Sequence, residues 1–112
     1  MQRTNAHEQQ WRGGTSGVKY LGRGPKIDWG VVKLLPGEIL GAHYHKAVEE
    51  TFYFPDSEPV MEVAGQKIRV RAGDSFRVEP GETHNIVNDT GAEFTAVFIK
   101  CPYDPEDKVA SK

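Results

Sequence analysis

Residues 37–50 read GEILGAHYHKAVEE and bring two histidines, His43 and His45, close to two adjacent carboxylates, Glu49 and Glu50. Side chains two positions apart on a β-strand point to the same face of the sheet. His43 and His45 can therefore present two imidazoles to one point, while the residue between them points away. Imidazole and carboxylate groups together suit a divalent transition metal. The stretch predicts a strand that carries part of a metal site.

A second stretch, residues 73–88, reads GDSFRVEPGETHNIVN and carries a third histidine, His84, after a Pro-Gly turn. Two histidines and one carboxylate form the arrangement found in non-haem iron sites, and a third histidine is compatible with several transition metals. Taken alone, His84 is also an ordinary turn residue, and Glu49 and Glu50 are an ordinary solvated pair. The spacing does not by itself bring the two stretches together in space.

The chain around these stretches has the pattern of an all-β protein. Turns rich in glycine, proline, asparagine and aspartate recur about every 8 to 12 residues, as in β-sandwiches and barrels. Between the turns apolar residues alternate with polar ones, as they do at Ile68 and Val70, which flank Arg69. We expect roughly eight or nine strands that close into a jelly-roll barrel.

The chain has 112 residues, 38% of them hydrophobic and 27% charged, which is typical of one globular domain. Its formal net charge of −2 provides no basic surface for nucleic acid or for a membrane, so neither is an expected partner. The lone Cys101 excludes an intrachain disulfide and is compatible with a reducing compartment, so a cytoplasmic location is expected. Composition divides the chain into a flexible arm (1–16), a barrel domain (17–101) and a polar tail (102–112).

The two histidine stretches resemble the paired motifs of the cupins. The first cupin motif, G-x5-H-x-H-x(3 or 4)-E-x6-G, matches from Gly37 onward, and the second, G-x5-P-x-G-x2-H-x3-N, matches from Gly73 onward. Two positions depart from the motifs: Ser57 replaces the last glycine of the first, and Glu79 replaces the proline of the second. The resemblance covers residues 30 to 100 and implies a small single-domain cupin with a double-stranded β-helix, or jelly-roll, fold.

The resemblance also implies a ligand set of His43, His45, Glu50 and His84 for one divalent metal, namely Mn, Fe, Ni or Zn. Glu49 fits the shorter spacing of the first motif and remains an alternative to Glu50. Glu50 is preferred because it places Phe52 and Phe54 on the ligand face as an apolar wall, whereas Glu49 would place Thr51 and Tyr53 there. Asn88 is a further pocket candidate, although capping the turn that follows is an equally good role for it.

Several functions fit such a site, because one fold supports many activities. The first is a small metalloenzyme of the dioxygenase, isomerase or decarboxylase type that acts on a small organic molecule. The second is a non-catalytic module that binds a carboxylate or sugar through its metal. Ionisable residues in the pocket beyond the ligands would favour the enzyme, and a purely apolar lining would favour binding. As in many small cupins, we expect a homodimer, which would cover an exposed sheet edge.

Overall fold

The computed structural model describes residues 1–111 and places nearly all regular structure in strands. A single 3-10 turn, Ala6–Glu8, precedes them. The strands are β1 (Gly17–Arg23), β2 (Asp28–Leu34), β3 (His43–Tyr44), β4 (Glu49–Tyr53), β5 (Val60–Val63), β6 (Gln66–Arg69), β7 (Ser75–Val78), β8 (His84–Val87), β9 (Phe94–Cys101) and β10 (Val109–Ala110). The described part of the chain thus has ten strands instead of the eight or nine expected. The prediction of an all-β fold is confirmed.

The strands form two five-stranded antiparallel sheets that face each other. One has the order β1-β2-β9-β4-β7 and the other the order β10-β3-β8-β5-β6. Apart from the hairpins β1–β2 and β5–β6, neighbours in each sheet are not consecutive in the sequence, as in the double-stranded β-helix. Strand alternation then sends every second side chain into the space between the sheets.

The interior has an apolar end and a polar end. Along β4 the inward row runs from Glu50 through Phe52 to Phe54, and along β8 it runs from His84 through Ile86 to Asn88. The apolar core fills the middle and one end of this space. It consists of Val32, Leu34, Phe52, Phe54, Met61, Val70, Val78, Ile86, Phe94, Ala96 and Phe98. The histidines lie at the other end, where the core opens.

Both chain ends pack against this open end. In the segment predicted to be a flexible arm, the backbone carbonyl of Ala6 accepts a hydrogen bond from Lys19 of β1, and Trp11 lies under the Lys19 ammonium. In the segment predicted to be a polar tail, Val109–Ala110 forms β10 and pairs with β3. Lys112, the last residue of that tail, lies outside the described residues.

None of the helical segments within residues 1–111 is long and apolar enough to cross a membrane.

Candidate metal centre

The four predicted ligands come together between the two sheets. His43 of β3 is the direct cross-strand partner of His84 of β8, and their rings lie 4.3 Å apart. His45 follows two residues after His43 and faces the same way. Glu50 reaches the cluster from β4 in the opposite sheet. The side chains are 5%, 3%, 1% and 4% exposed for His43, His45, His84 and Glu50, so bulk water does not separate them.

The distances within the cluster fit one metal ion. One ligand atom from each of the four residues lies within 4.8 Å of the others. Glu50 Oε1 is 3.1 Å from Nε2 of both His45 and His84, and 3.9 Å from Nε2 of His43. With metal–ligand bonds of about 2.0–2.2 Å, adjacent ligands lie about 3 Å apart and opposite ligands about 4 Å apart. The cluster therefore matches the size of a single transition-metal site.

A backbone carbonyl orients each of the three imidazoles through a hydrogen bond from Nδ1. Nδ1 of His43 donates to the carbonyl of Gly41 at 2.8 Å, Nδ1 of His84 to the carbonyl of Glu82 at 3.0 Å, and Nδ1 of His45 to the carbonyl of Asp107. A carbonyl can only accept, so each neutral ring carries its proton on Nδ1 and leaves a lone pair on Nε2. Such outer hydrogen bonds are typical of metal-bound histidines.

Three Nε2 lone pairs and a carboxylate therefore point at one another without a hydrogen-bond donor between them. Buried acceptors in this arrangement repel unless a cation lies among them. Either protons on the imidazoles or a metal ion would satisfy all four groups. The donor set of three imidazole nitrogens and one carboxylate is chemically suited to a divalent transition metal.

The electrostatics keep Glu50 ionised. Burial by itself raises the pKa of Glu50. Hydrogen bonds from the three imidazoles, donated when they carry a proton on Nε2, and the charge of Lys100 outweigh burial and hold that pKa well below its usual 4.5. Burial lowers the pKa of His45, but Glu50 and the Asp107 carbonyl together raise it above its usual 6.5. The cluster thus offers one negative charge to a cation at neutral pH.

The choice between the two adjacent carboxylates follows from the strand register. Glu50 points inward, opposite Lys100 of β9, whereas Glu49 lies opposite the exposed Cys101 on the other face. Within the described chain, only Glu50 joins the three histidines in a compact cluster of candidate ligands.

Of the three predicted pocket residues, the structure places only Phe52 beside the cluster. Its ring lies 5.7 Å from that of His84, and it lines the cavity described below. Phe54 is on the expected face, but it lies four residues from Glu50, about 13 Å along the strand. It packs against Phe76 and Phe94 at the apolar end of the core, away from the cavity. Phe54 therefore shares the face of Glu50 but does not line this cavity.

Asn88 is likewise four residues from His84 and lies at the far end of β8. Its amide nitrogen donates to the carbonyls of Leu34 and Ala92, at 3.0 and 2.9 Å, and its Oδ1 accepts from the backbone and hydroxyl of Thr90. The side chain is fully buried and fully hydrogen-bonded. Asn88 therefore holds the β8–β9 turn, the second of the two roles expected for it, and does not line this cavity.

A cavity of about 400 Å³ opens beside the cluster, and His43, His45 and Glu50 form part of its wall. Apolar side chains line one side of it, among them Val32, Phe52 and Phe98. The rest of the lining is ionisable, and its members come from both chain ends and from β1 and β9: Arg12, Tyr20, Arg23, Lys100, Asp104, Asp107 and Lys108.

Asp107 supports the cluster from a segment that sequence analysis had assigned to the tail. Its carboxylate accepts hydrogen bonds from the backbone N–H groups of Lys46, Ala47 and Val48, at 2.6, 2.8 and 3.0 Å. Its carbonyl accepts from His45, as described above. A single residue thus fixes both the His45 ring and the loop that leads from it to Glu50. No sequence signal links positions 62 residues apart.

Lys100 and Tyr20 are the other site residues that sequence analysis missed. Lys100 continues the inward row of Phe94, Ala96 and Phe98 along β9, and that alternation was visible in the sequence. Tyr20 likewise follows Val18 on the inward face of β1, and a bulge between Tyr20 and Gly22 interrupts this alternation only after Tyr20.

Two curated proteins are similar to this chain in sequence. A curated oxalate-binding protein of Thermotoga maritima is 37% identical over 70 residues, which are 61% of this chain and 58% of that protein. TcmJ, a tetracenomycin polyketide synthase protein of Streptomyces glaucescens, is 28% identical over 80 residues, 71% of this chain and 54% of that protein. The chain therefore spans somewhat more than half the length of these curated relatives.

Among solved structures, a conserved protein of Klebsiella pneumoniae with a double-stranded β-helix domain has a TM-score of 0.84 and 20% identity, with complete coverage of both chains. KdgF from Halomonas sp. has a TM-score of 0.79 and 20% identity, covering 91% of this chain and 94% of KdgF. Both likenesses concern the fold. The cupin domain model, Cupin_2, matches residues 30–100, well over half of the sequence, and the chain therefore belongs to the cupin family.

Proposed function

We propose that this chain is a metal-dependent cupin enzyme that acts on a small organic molecule in the cavity beside His43, His45, Glu50 and His84. The observation that carries the proposal is the convergence of three Nε2 lone pairs and one buried carboxylate, each oriented by the backbone or by the strand register. The four residues would hold one divalent transition metal, which supplies Lewis-acid or redox chemistry when bound.

The cavity supports an enzyme more than a structural metal site. A structural zinc site is closed by four protein ligands, whereas this cluster forms part of the wall of an open cavity of about 400 Å³. Four protein ligands leave two positions on a six-coordinate ion for a substrate. The ionisable lining, which includes Tyr20 and Lys100, provides groups that can bind a substrate or move a proton. Dioxygenase, isomerase and decarboxylase chemistry all remain within this proposal.

A non-catalytic binding module is the second candidate. It is favoured by the relative from Thermotoga maritima, which is named an oxalate-binding protein. The two candidates share the metal and the cavity, and they differ in whether the bound molecule is converted to a product.

Two measurements test the proposal in sequence. Elemental analysis of the purified chain, followed by calorimetric titration of metal-free protein with Mn, Fe, Ni and Zn salts, should give one ion per chain. Stoichiometry far below one for every metal would refute it. The loaded protein is then incubated with small carboxylic and sugar acids, with oxygen present or absent, and products are followed by NMR. Binding without any turnover across such a panel would favour the binding module.

A further inference from the structure

Lys100 occupies an inward position that strand alternation would otherwise give to an apolar residue. Phe94, Ala96 and Phe98, which precede it on the same face of β9, are 6%, 0% and 2% exposed. Its Cα is the direct cross-strand partner of Glu50 on β4. Side chains at such positions are neighbours on the same face of a sheet. The Lys100 ammonium is therefore next to the candidate metal centre and lines the same cavity.

Tyr20 holds this ammonium. Lys100 Nζ donates to Tyr20 Oη at 3.0 Å and lies 5.2 and 5.5 Å from the ring centres of Tyr20 and Phe98. Within residues 1–111, no carboxylate forms an ion pair with Lys100. The ammonium keeps N–H donors beyond the one that Tyr20 accepts, because a lysine has three.

The Tyr20 hydroxyl is free to act as a donor as well. Its oxygen accepts from Lys100, and its own proton has no acceptor in the part of the chain that the structure describes. The bulge in β1 turns Tyr20 and Arg23 to the same side although they are three residues apart, and the Arg23 guanidinium lies 3.9 Å from the centre of the Tyr20 ring. Arg12 lies against the same ring, at 4.8 Å.

Two acidic residues near the cavity are held by several hydrogen bonds each, and a third, Asp104, accepts one from the backbone N–H of Glu106. Asp28, which is 1% exposed, pairs with Arg23 through two hydrogen bonds of 3.0 and 3.1 Å. The Asp107 carboxylate caps three backbone N–H groups. A divalent metal with three neutral imidazoles and Glu50 would carry a net charge of +1. Apart from Arg23, which Asp28 neutralises, the lining adds three cations, Arg12, Lys100 and Lys108, against two carboxylates, Asp104 and Asp107, so the net charge stays positive. The cavity is therefore a site for an anion.

We infer that Lys100 and Tyr20 form a carboxylate subsite, so that the cavity selects small organic acids with a second acidic group positioned away from the metal. One acidic group would bind at the open metal positions, and the other would accept hydrogen bonds from the Lys100 ammonium and the Tyr20 hydroxyl. Bonds between a charged donor and a carboxylate are stronger than neutral ones. This inference rests on the proposed function, because the first group needs the metal.

The test compares dicarboxylates with half-amides of the same length on zinc-loaded protein. Succinate is titrated beside succinamate, and malonate beside malonamate, by calorimetry, after zinc stoichiometry has been measured for each variant. In the parent chain the better-fitting dicarboxylate should bind about 10-fold to 100-fold more tightly than its half-amide. Lys100→Met should reduce that ratio to less than threefold, and Tyr20→Phe should reduce it in part.

Lys67→Met is the matched control. Lys67 is a lysine of β6 whose side chain is 78% exposed and does not line the cavity, so this variant should keep the parent ratio. Equal binding of dicarboxylate and half-amide by the parent, or an undiminished ratio in Lys100→Met, would overturn the subsite. If Lys100→Met does not fold, an unchanged ratio in Tyr20→Phe overturns it instead.

Zinc stoichiometry separates this inference from the proposed function. A parent chain that binds no metal refutes the proposed function. In that case the same titrations on metal-free protein test whether the subsite binds a carboxylate. Succinate should still bind more weakly to Lys100→Met than to Lys67→Met. Equal affinities of these two variants would overturn it.

Discussion

Removal of the Asp107 carboxylate should weaken the metal centre although Asp107 is not a candidate ligand. In Asp107→Ala the backbone N–H groups of Lys46, Ala47 and Val48 lose their acceptor. The two exposed groups contribute about 0.5–1 kcal/mol each and the buried Val48 group about 1.5 kcal/mol, so the free energy of unfolding should fall by about 3 kcal/mol. For a chain of this length that corresponds to a loss of about 10 °C in Tm.

The effect on metal binding follows from the position of the same loop. The Asp107 carbonyl remains in the variant, but the segment that presents it to His45 is no longer held, and outer hydrogen bonds of this kind contribute about 10-fold to 100-fold to metal affinity. Thermal denaturation by circular dichroism and calorimetric zinc titration measure the two quantities. Asp107→Asn, which keeps one neutral acceptor, should be intermediate.

Glu106→Ala is the matched control, because it removes a charge from the same segment at an exposed position. It should change neither quantity appreciably. Equal effects of Asp107→Ala and Glu106→Ala would refute the reasoning. A loss of stability in Asp107→Ala with unchanged zinc affinity would refute the coupling of the loop to His45.

The same contacts predict the pH range of the effect. Burial raises the pKa of Asp107, but the three N–H groups and the nearby His45 lower it below its usual 3.8. A carboxyl group with a lowered pKa in the folded state stabilises the fold above its pKa in the unfolded state, and this stabilisation is lost as the pH falls through the lowered pKa. The difference between the parent and Asp107→Ala should therefore be full above about pH 5 and should fall in strong acid to the smaller value of a neutral acceptor.

Four further outcomes are expected. Glu50→Gln should reduce metal affinity at least about a hundredfold in calorimetric titrations, because it removes the only anionic ligand. Glu49→Gln should change metal affinity little in the same titrations, and a larger loss in this variant would contradict the strand register. Metal occupancy should decline as the pH falls through the acid range, because protons compete with the metal for the imidazole nitrogens, and full occupancy at pH 4 would argue against a histidine site. Gly30→Ala should lower the free energy of unfolding measured by chemical denaturation by about 3 kcal/mol, because the added Cβ would lie 2.0 Å from the Lys19 carbonyl oxygen. Gly91→Ala is the control and should not lower it, because Gly91 has open space around it. Light scattering at tens of micromolar should give a dimer, and a monomer would contradict that expectation.

The side chains that face inward from each strand can be predicted from the sequence, because the alternation of side chains along a strand is a local rule. The rule correctly predicted that Glu50, Phe52 and Phe54 share a face, and that His43 and His45 do. It carries no information on the distance along the barrel, and so it predicts Phe54 as a pocket residue and leaves Asn88 as either a pocket or a turn residue. Each lies four residues from a candidate ligand, on the right face but at the apolar end of the core.

The sequence by itself determined the fold family and the three candidate histidine ligands, because both follow from residue types at short, regular spacing within two continuous motifs. It left Glu49 and Glu50 as alternatives, and the strand register of the structure places Glu50 in the cluster. Only the tertiary structure decided what surrounds the ligands. Asp107 reaches His45 across 62 residues, and Tyr20 meets Lys100 across 80. Such contacts depend on how the sheets pair and where a strand bulges, and no local pattern records either. The metal-ligand cluster can therefore be predicted from the sequence. The carboxylate subsite and the contacts of Asp107 that hold the cluster can be seen only in the folded chain.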